Sequence, residues 1–200
     1  MLIVLDGMDC TGKTTLCAML YDNLKDEIPS LAQMYFPKKT GIVEEFLNGN
    51  SNVSPFMFQS ACFMQKFRFQ NSEEFKSRNW IVDRWEPSGI VYGFSDMDNQ
   101  DMEFKLNAFE NTKHYSFSTL IKPDIGFILT VDPIIGTMRG IHRGKEVERY
   151  EDIEKQNVLF HLFESYVKKN PYYNYIDTTE YSLQNVFDEI YSKIKKYISI

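Results

Sequence analysis

The sequence predicts an α/β fold in which one five-stranded parallel sheet lies between layers of helices. Two observations carry this. Five short apolar, β-like runs are spread along the 200 residues, and helical patterns lie between them. Strands that alternate with helices form βαβ units, whose sheet is parallel and covered on both faces. The composition agrees: 43% hydrophobic and 25% charged, with 16 Phe and 12 Tyr, is a chain that buries a core.

The elements follow in order. Leu2, Ile3, Val4 and Leu5 form the first strand, which runs into Asp6-Gly7 and a glycine-containing turn. Leu16, Met19, Leu20 and Leu24 then recur at helical spacing. Further strands are predicted over 33–36, 80–83, 125–131 and 172–176, with a helix over 56–69. A C-terminal helix is carried by Leu183, Val186, Phe187, Ile190, Ile194 and Tyr197. The polar stretch 95–103 and the charged stretch 140–154 read as surface excursions. Nothing divides the chain, so residues 1–200 are expected to be a single domain.

Charge and cysteine content exclude several classes. Lys and Arg number 22 against 28 Asp and Glu, a net charge of -6, which is the wrong sign for a general nucleic-acid or acidic-membrane surface. Phosphate binding has to be local. Cys10, Cys17 and Cys62 form neither an even framework nor a CxxC pair, which argues against a disulfide scaffold or a thiolate zinc site. The first apolar run is cut by Asp6, unlike a signal peptide, and no later stretch resembles a membrane span. A cytoplasmic protein is expected.

Gly7-Met8-Asp9-Cys10-Thr11-Gly12-Lys13-Thr14 fits G-x-x-x-x-G-K-[ST] and sits between the first strand and the first helix, the context that a phosphate-binding loop requires. Its glycines let backbone N–H groups cradle phosphate oxygens at a helix N-terminus. Lys13 would reach the β and γ phosphates, and the Thr14 hydroxyl would ligate Mg²⁺. Gly7, Gly12, Lys13, Thr14 and Thr15 are therefore the expected ATP-binding residues of a P-loop NTPase fold. Such a loop alone leaves open a GTPase, a motor ATPase or a kinase of a small substrate. The guanine-reading N-K-x-D is missing, and the strand from Ile125 leads instead into Val131-Asp132-Pro133.

Trp80-Ile81-Val82 ends in Asp83-Arg84-Trp85, followed by Ser88-Gly89 and Tyr92. A carboxylate and a guanidinium at the C-terminal edge of a parallel strand face the crevice where such sheets bind ligands. Together with Phe36-Pro37-Lys38-Lys39-Thr40, Pro123-Asp124 and Glu148-Arg149-Tyr150-Glu151, this set resembles the thymidylate kinases in order and approximate spacing. The resemblance implies ATP-dependent phosphorylation of dTMP to dTDP with Mg²⁺, and a mobile lid over approximately 140–149. It also implies a homodimer joined through helices, with the aromatic-rich 56–69 segment as a candidate surface.

The resemblance further implies residue roles. Asp9 would bind the sugar of the monophosphate, Asp83 would position Mg²⁺ with Thr14, and Arg84 would clamp the acceptor phosphate. Arg139 stands where the family stacks a guanidinium on adenine. Phe36, Lys39, Phe58, Ser88, Tyr92, Tyr150 and Gln156 complete the expected dTMP site. Lys39 replaces the usual Arg, keeping the charge but losing the bidentate fork. Some members carry an Arg inside the phosphate loop; here Cys10 takes that place, which shifts the transition-state arginine to the lid, with Arg143 first and Arg149 and Lys145 behind it. Cys62 stands where the family's thymine-reading Arg is expected, four residues after Phe58. Base discrimination is then expected to be looser, unless Lys66 or Arg68 substitutes. Another deoxynucleotide or deoxynucleoside kinase, or a nucleotide-binding switch without turnover, remains an alternative.

Overall fold

The computed structural model describes residues 1–96, 102–111, 119–143 and 150–199. Five strands form the sheet: β1 (Leu2–Gly7), β2 (Leu31–Tyr35), β3 (Asn79–Asp83), β4 (Ile125–Thr130) and β5 (Tyr173–Asp177). All neighbours pair in parallel, in the order β2-β3-β1-β4-β5. The expected strands are all present, with ends shifted by up to two residues. β1 is central, so its C-terminal end opens between those of β3 and β4.

Both faces of the sheet are covered, as the unbroken apolar runs required. On β1, Leu2 and Val4 join one core with Trp80, Val82 and Ile128. Ile3 and Leu5 point the other way, into a second core with Ile81, Phe127 and Leu129. The second core is closed by α1 (Lys13–Leu24) through Leu16 and Leu20 and by α9 (Leu183–Ile198) through Val186, Ile190 and Ile194. The first is closed by α5 (Glu86–Ser95) and α8 (Ile153–Lys169), which supply Ile90, Val91, Leu159 and Phe163.

Between β2 and β3 lie α2 (Ile42–Leu47), α3 (Pro55–Gln70) and α4 (Glu73–Ser77); α6 (Met102–Asn111) and α7 (Pro133–His142) flank β4. Local chemistry sets the helix starts. Ser54 accepts from the Met57 N–H with Pro55 at the first helical position of α3, and Asp132 accepts from Ile134 and Ile135 ahead of α7. The supposed excursions are more buried than their polarity suggested. Ser95, Asp96, Tyr150 and Glu151 are all buried: Lys105 of α6 donates to the Ser95 carbonyl at 2.7 Å, the Tyr150 hydroxyl donates to Asp96, and Glu151 packs against Gly140 of α7. Of the expected lid, 140–142 completes α7 and Arg143 caps it, while 144–149 lies outside the described residues.

Glu86, in the first turn of α5, gives a stability prediction. Burial pushes its carboxyl up to about 6, and the Tyr166 hydroxyl that donates to it only partly offsets this. A folded-state pKa above the ordinary 4.5 means that the folded protein holds this proton more tightly than the unfolded chain does. The penalty therefore grows as pH rises through this window, to roughly 2 kcal/mol once Glu86 is ionised. Glu86→Gln is expected to raise urea-unfolding stability by about that amount near pH 8 and by almost nothing near pH 4. A gain that is independent of pH would show that burial of the charge is not its source.

Candidate active site

Glycine shapes the phosphate loop. Gly7 has φ 125°, and a Cβ there would lie 2.0 Å from the Leu129 carbonyl oxygen, so β1 can turn beside β4 only without a side chain. Gly12 has φ 85° and caps α1. Lys13, at the first position of α1, folds back so that its ammonium donates to the Met8 carbonyl and, at 3.2 Å, to Thr11 Oγ1. Burial and then the Arg84 charge lower its pKa, while Asp9 and Asp83 oppose them.

β3 delivers Asp83 and Arg84 to the same place. Arg84 has φ 69°, a left-handed conformation that costs a side-chain-bearing residue roughly 1–2 kcal/mol. Asp6 holds that turn. Its carboxylate accepts from the N–H groups of Gly7 (2.7 Å), Trp85 (2.7 Å) and Ser88 (3.2 Å) and from the Ser88 hydroxyl. In the sequence Asp6 stands out only as the break in an apolar run. A carboxylate at a strand end, followed closely by the phosphate loop, was the available signal.

Arg84 is aimed by its neighbours. One guanidinium nitrogen donates to Asp9 Oδ1, the other to Ser88 Oγ at 3.1 Å, and the group lies 4.9 Å from the Tyr92 ring centroid. Tyr92 donates to the second Asp9 oxygen at 2.8 Å. Burial would raise the Asp9 pKa, but Arg84, Lys13 and the Tyr92 hydroxyl together hold it below the usual carboxylate value. Asp9 stays ionised, a fixed anchor between the guanidinium and the phenol.

Thr14 Oγ1 donates to Asp83 Oδ2 at 2.5 Å, and the other oxygen, Oδ1, is buried without a hydrogen-bond partner. A hydroxyl and a carboxylate oxygen, one of them unsatisfied, are hard donors that fit a magnesium ion. The phosphate pocket around them is lined by four cations, Lys13, Arg84, Arg139 and Arg143, against two carboxylates, Asp9 and Asp83. In an acidic protein this is a local anion site.

Two clefts open from that pocket. On one side Arg139 donates to Thr178 Oγ1 (3.1 Å) and to the carbonyls of Thr178 (2.8 Å) and Thr179 (3.2 Å), which fixes its guanidinium plane in a cleft shared with Thr15, Tyr181 and Leu183. On the other lies a cleft of about 320 Å³ that brings together Asp9, Phe36, Lys39, Phe58, Arg84, Ser88, Tyr92 and Tyr150. Lys39 lines it; Lys38 lies 3.7 Å from the Tyr35 ring, its backbone bracketed by Gln65. Tyr150 packs edge-on against Tyr92 at 4.8 Å, and its hydroxyl donates to Asp96.

Gln156 is the expected site residue that the structure does not bring to this cleft. It is fully buried, donates to the Tyr150 carbonyl at 2.6 Å, and abuts Gly136 of α7. It sits behind the turn that presents Tyr150, with its own Oε1 buried and without a hydrogen-bond partner. Phe58 lines the cleft while stacking on Phe46 at 4.3 Å. Cys62 and Lys66 also line it, whereas Arg68 is exposed on another face of α3. Arg143 reaches both the acceptor cleft and the phosphate pocket, held by an ion pair with the buried Glu151. In the sequence Glu151 is legible only as the end of Glu148-Arg149-Tyr150-Glu151, because its role depends on a fold contact. Arg149 and Lys145, the other lid candidates, lie outside the described residues.

Comparison with known proteins places this arrangement. A thymidylate kinase of Plasmodium falciparum is 28% identical over 97% of this chain and 89% of its own length. One of Schizosaccharomyces pombe is 30% identical over 84% of this chain and 77% of its own. Among solved structures, a thymidylate kinase of Candida albicans superposes with a TM-score of 0.74 at 21% identity, covering 98% of this chain and 91% of that one, which shows the shared fold. The family model described as thymidylate kinase matches residues 5–190, from the end of β1 into α9, and the chain belongs to that family.

Proposed function

We infer that this protein is a thymidylate kinase that transfers the γ-phosphoryl group of ATP to dTMP, giving dTDP and ADP. The observation that carries the reading is one cation-rich pocket opening into two clefts, with Asp9, Arg84 and Arg143 at the junction with the acceptor side. ATP lies with its phosphates in the loop and its adenine against the plane of Arg139. The acceptor monophosphate enters the cleft lined by Phe36, Phe58 and Tyr92, with its phosphate toward Arg84 and Lys39.

Phosphoryl transfer needs little covalent help, so the protein's work is alignment and charge. Arg84, fixed by Asp9 and Ser88, holds the acceptor phosphate in line. Lys13 leaves the Met8 carbonyl for the donor phosphates, and Arg143 spreads charge over the migrating group. Thr14 and Asp83 would hold Mg²⁺, which supplies charge neutralisation on the phosphate oxygens when bound.

Among the described residues no helix is long and apolar enough to cross a membrane. The three cysteines are free thiols, which suits the cytoplasmic location we propose. A homodimer is also proposed: Phe56, Met57, Met64 and Phe67 leave apolar surface exposed on α3.

A coupled ADP assay with dTMP, dUMP, dCMP, dGMP and thymidine tests the function. ADP release is expected only when a nucleoside monophosphate is added, with dTMP preferred. Release that ignores the acceptor would favour the nucleotide-switch reading, and release with thymidine alone a nucleoside kinase.

A further inference from the structure

Asp96 is a buried carboxylate that the phosphoryl transfer described above does not use. It caps the C-terminal end of α5, and its side chain is 1% exposed. A helix C-terminus repels negative charge, so neither burial nor the helix favours an acid here. Cations from two other helices gather around it. Lys155 of α8 lies 3.5 Å from Oδ1 and donates to the Ser95 carbonyl at 3.2 Å, and Lys105 of α6 donates to the same carbonyl at 2.7 Å. With the carboxylate anchored in this way, its other oxygen, Oδ2, accepts from the Tyr150 hydroxyl.

Two parts of the site meet at Tyr150. Its ring lines the acceptor cleft and stands edge-on to Tyr92, whose hydroxyl donates to Asp9. One residue on, Glu151 pairs with Arg143, where the cleft meets the phosphate pocket. Gln156 donates to the Tyr150 carbonyl at 2.6 Å and so holds the backbone, while Asp96 holds the far end of the ring. Fixed at both ends, the side chain has one orientation. Neighbouring residues move together across a planar peptide, so what holds Tyr150 also holds Glu151.

We infer that Asp96 is a positioning residue for phosphoryl transfer: its carboxylate, anchored by Lys155, holds the Tyr150 phenol and so fixes both the wall of the acceptor cleft and the Glu151 carboxylate that aims Arg143. The inference rests on the reading of that cleft as the acceptor site. Losing the tie disturbs the acceptor and the group being transferred, since in-line geometry depends on both. The donor side is spared, because the cleft formed by Thr15, Arg139, Tyr181 and Leu183 does not include Tyr150.

The test is steady-state kinetics of Asp96→Ala, Asp96→Asn, Tyr150→Phe and the double variant Asp96→Ala/Tyr150→Phe, with KM measured for each substrate. KM does not depend on the folded fraction, and kcat is taken per folded molecule from near-ultraviolet dichroism. Asp96→Ala and Tyr150→Phe are each expected to lower kcat/KM for dTMP by ~10–100-fold and to raise the KM for dTMP, with the KM for ATP changed by less than ~2-fold. The double variant is expected to be no worse than the poorer single one, because both substitutions remove the same tie. Asp96→Asn keeps a hydrogen-bonding group opposite the phenol and is expected to recover most of the loss. KM values for ATP and dTMP that rise together, or losses that multiply in the double variant, overturn the inference. If Asp96→Ala does not fold, Tyr150→Phe decides, because it removes one oxygen and leaves the carboxylate with Lys155. A split between the two KM values there supports the assignment, and an unchanged kcat/KM for dTMP refutes it. Failure of the underlying reading looks different: the wild type would then release no acceptor-dependent ADP at all.

Discussion

Lys13→Ala is expected to lower kcat by ~10²–10³-fold, the cost of removing one donor aimed at developing charge, and to leave the fold intact. The loop does not depend on this side chain for its shape. Gly7 and Gly12 set the backbone, and the Thr11 hydroxyl continues to donate to the Met8 carbonyl at 2.9 Å after the ammonium is gone. Removing this buried cation relieves repulsion with Arg84 and forfeits attraction to Asp9 and Asp83, two effects that oppose each other. Steady-state kinetics with a thermal unfolding curve checks both halves. A folded variant with near-normal dTMP phosphorylation would contradict the mechanism.

Arg143→Ala is expected to cost at least ~10²-fold in kcat, toward the lower end of what transition-state arginines contribute. Its side chain is 45% exposed, but the Glu151 carboxylate it pairs with is 2% exposed, so losing the cation also weakens the fold, and an unfolding curve is measured beside kcat. What Glu151 provides is direction: a buried carboxylate at the start of the segment leading into α8 holds the guanidinium where the acceptor cleft meets the phosphate pocket. Cys10, whose sulfur lies 3.6 Å from the same carboxylate, carries no positive charge, so Cys10→Ala is expected to be nearly silent. The opposite ranking in kcat would remove Arg143 from its role and turn attention to Lys145 and Arg149.

The parts of the fold that the sequence revealed are those whose signal is local. β1 and β4 are buried on both faces and therefore read as unbroken apolar runs, and the phosphate loop is a contiguous motif whose glycines are required by positions such as that against Leu129. Asp83, Arg84 and Thr14 were also legible, since a strand end and a helix start fix where they project. Partnerships made by tertiary approach were not. The strand-end position of Asp6 marks it as a candidate but not as the holder of a turn almost eighty residues away, and Gln156 lies at a plausible spacing but packs against Gly136. Lys66 and Arg68 were both legible as candidates beside Cys62, and only the phase of α3 separates them, with Lys66 in the wall of the cleft and Arg68 exposed on another face.

The central claim is direct transfer between two bound nucleotides, and following the label from [γ-³²P]ATP in the presence of dTMP tests it most directly. The label is expected in dTDP, with dTDP and ADP formed in equal amounts and almost none released as inorganic phosphate. Label appearing as inorganic phosphate at a rate indifferent to dTMP, or no transfer by a protein that still binds ATP, would contradict the account.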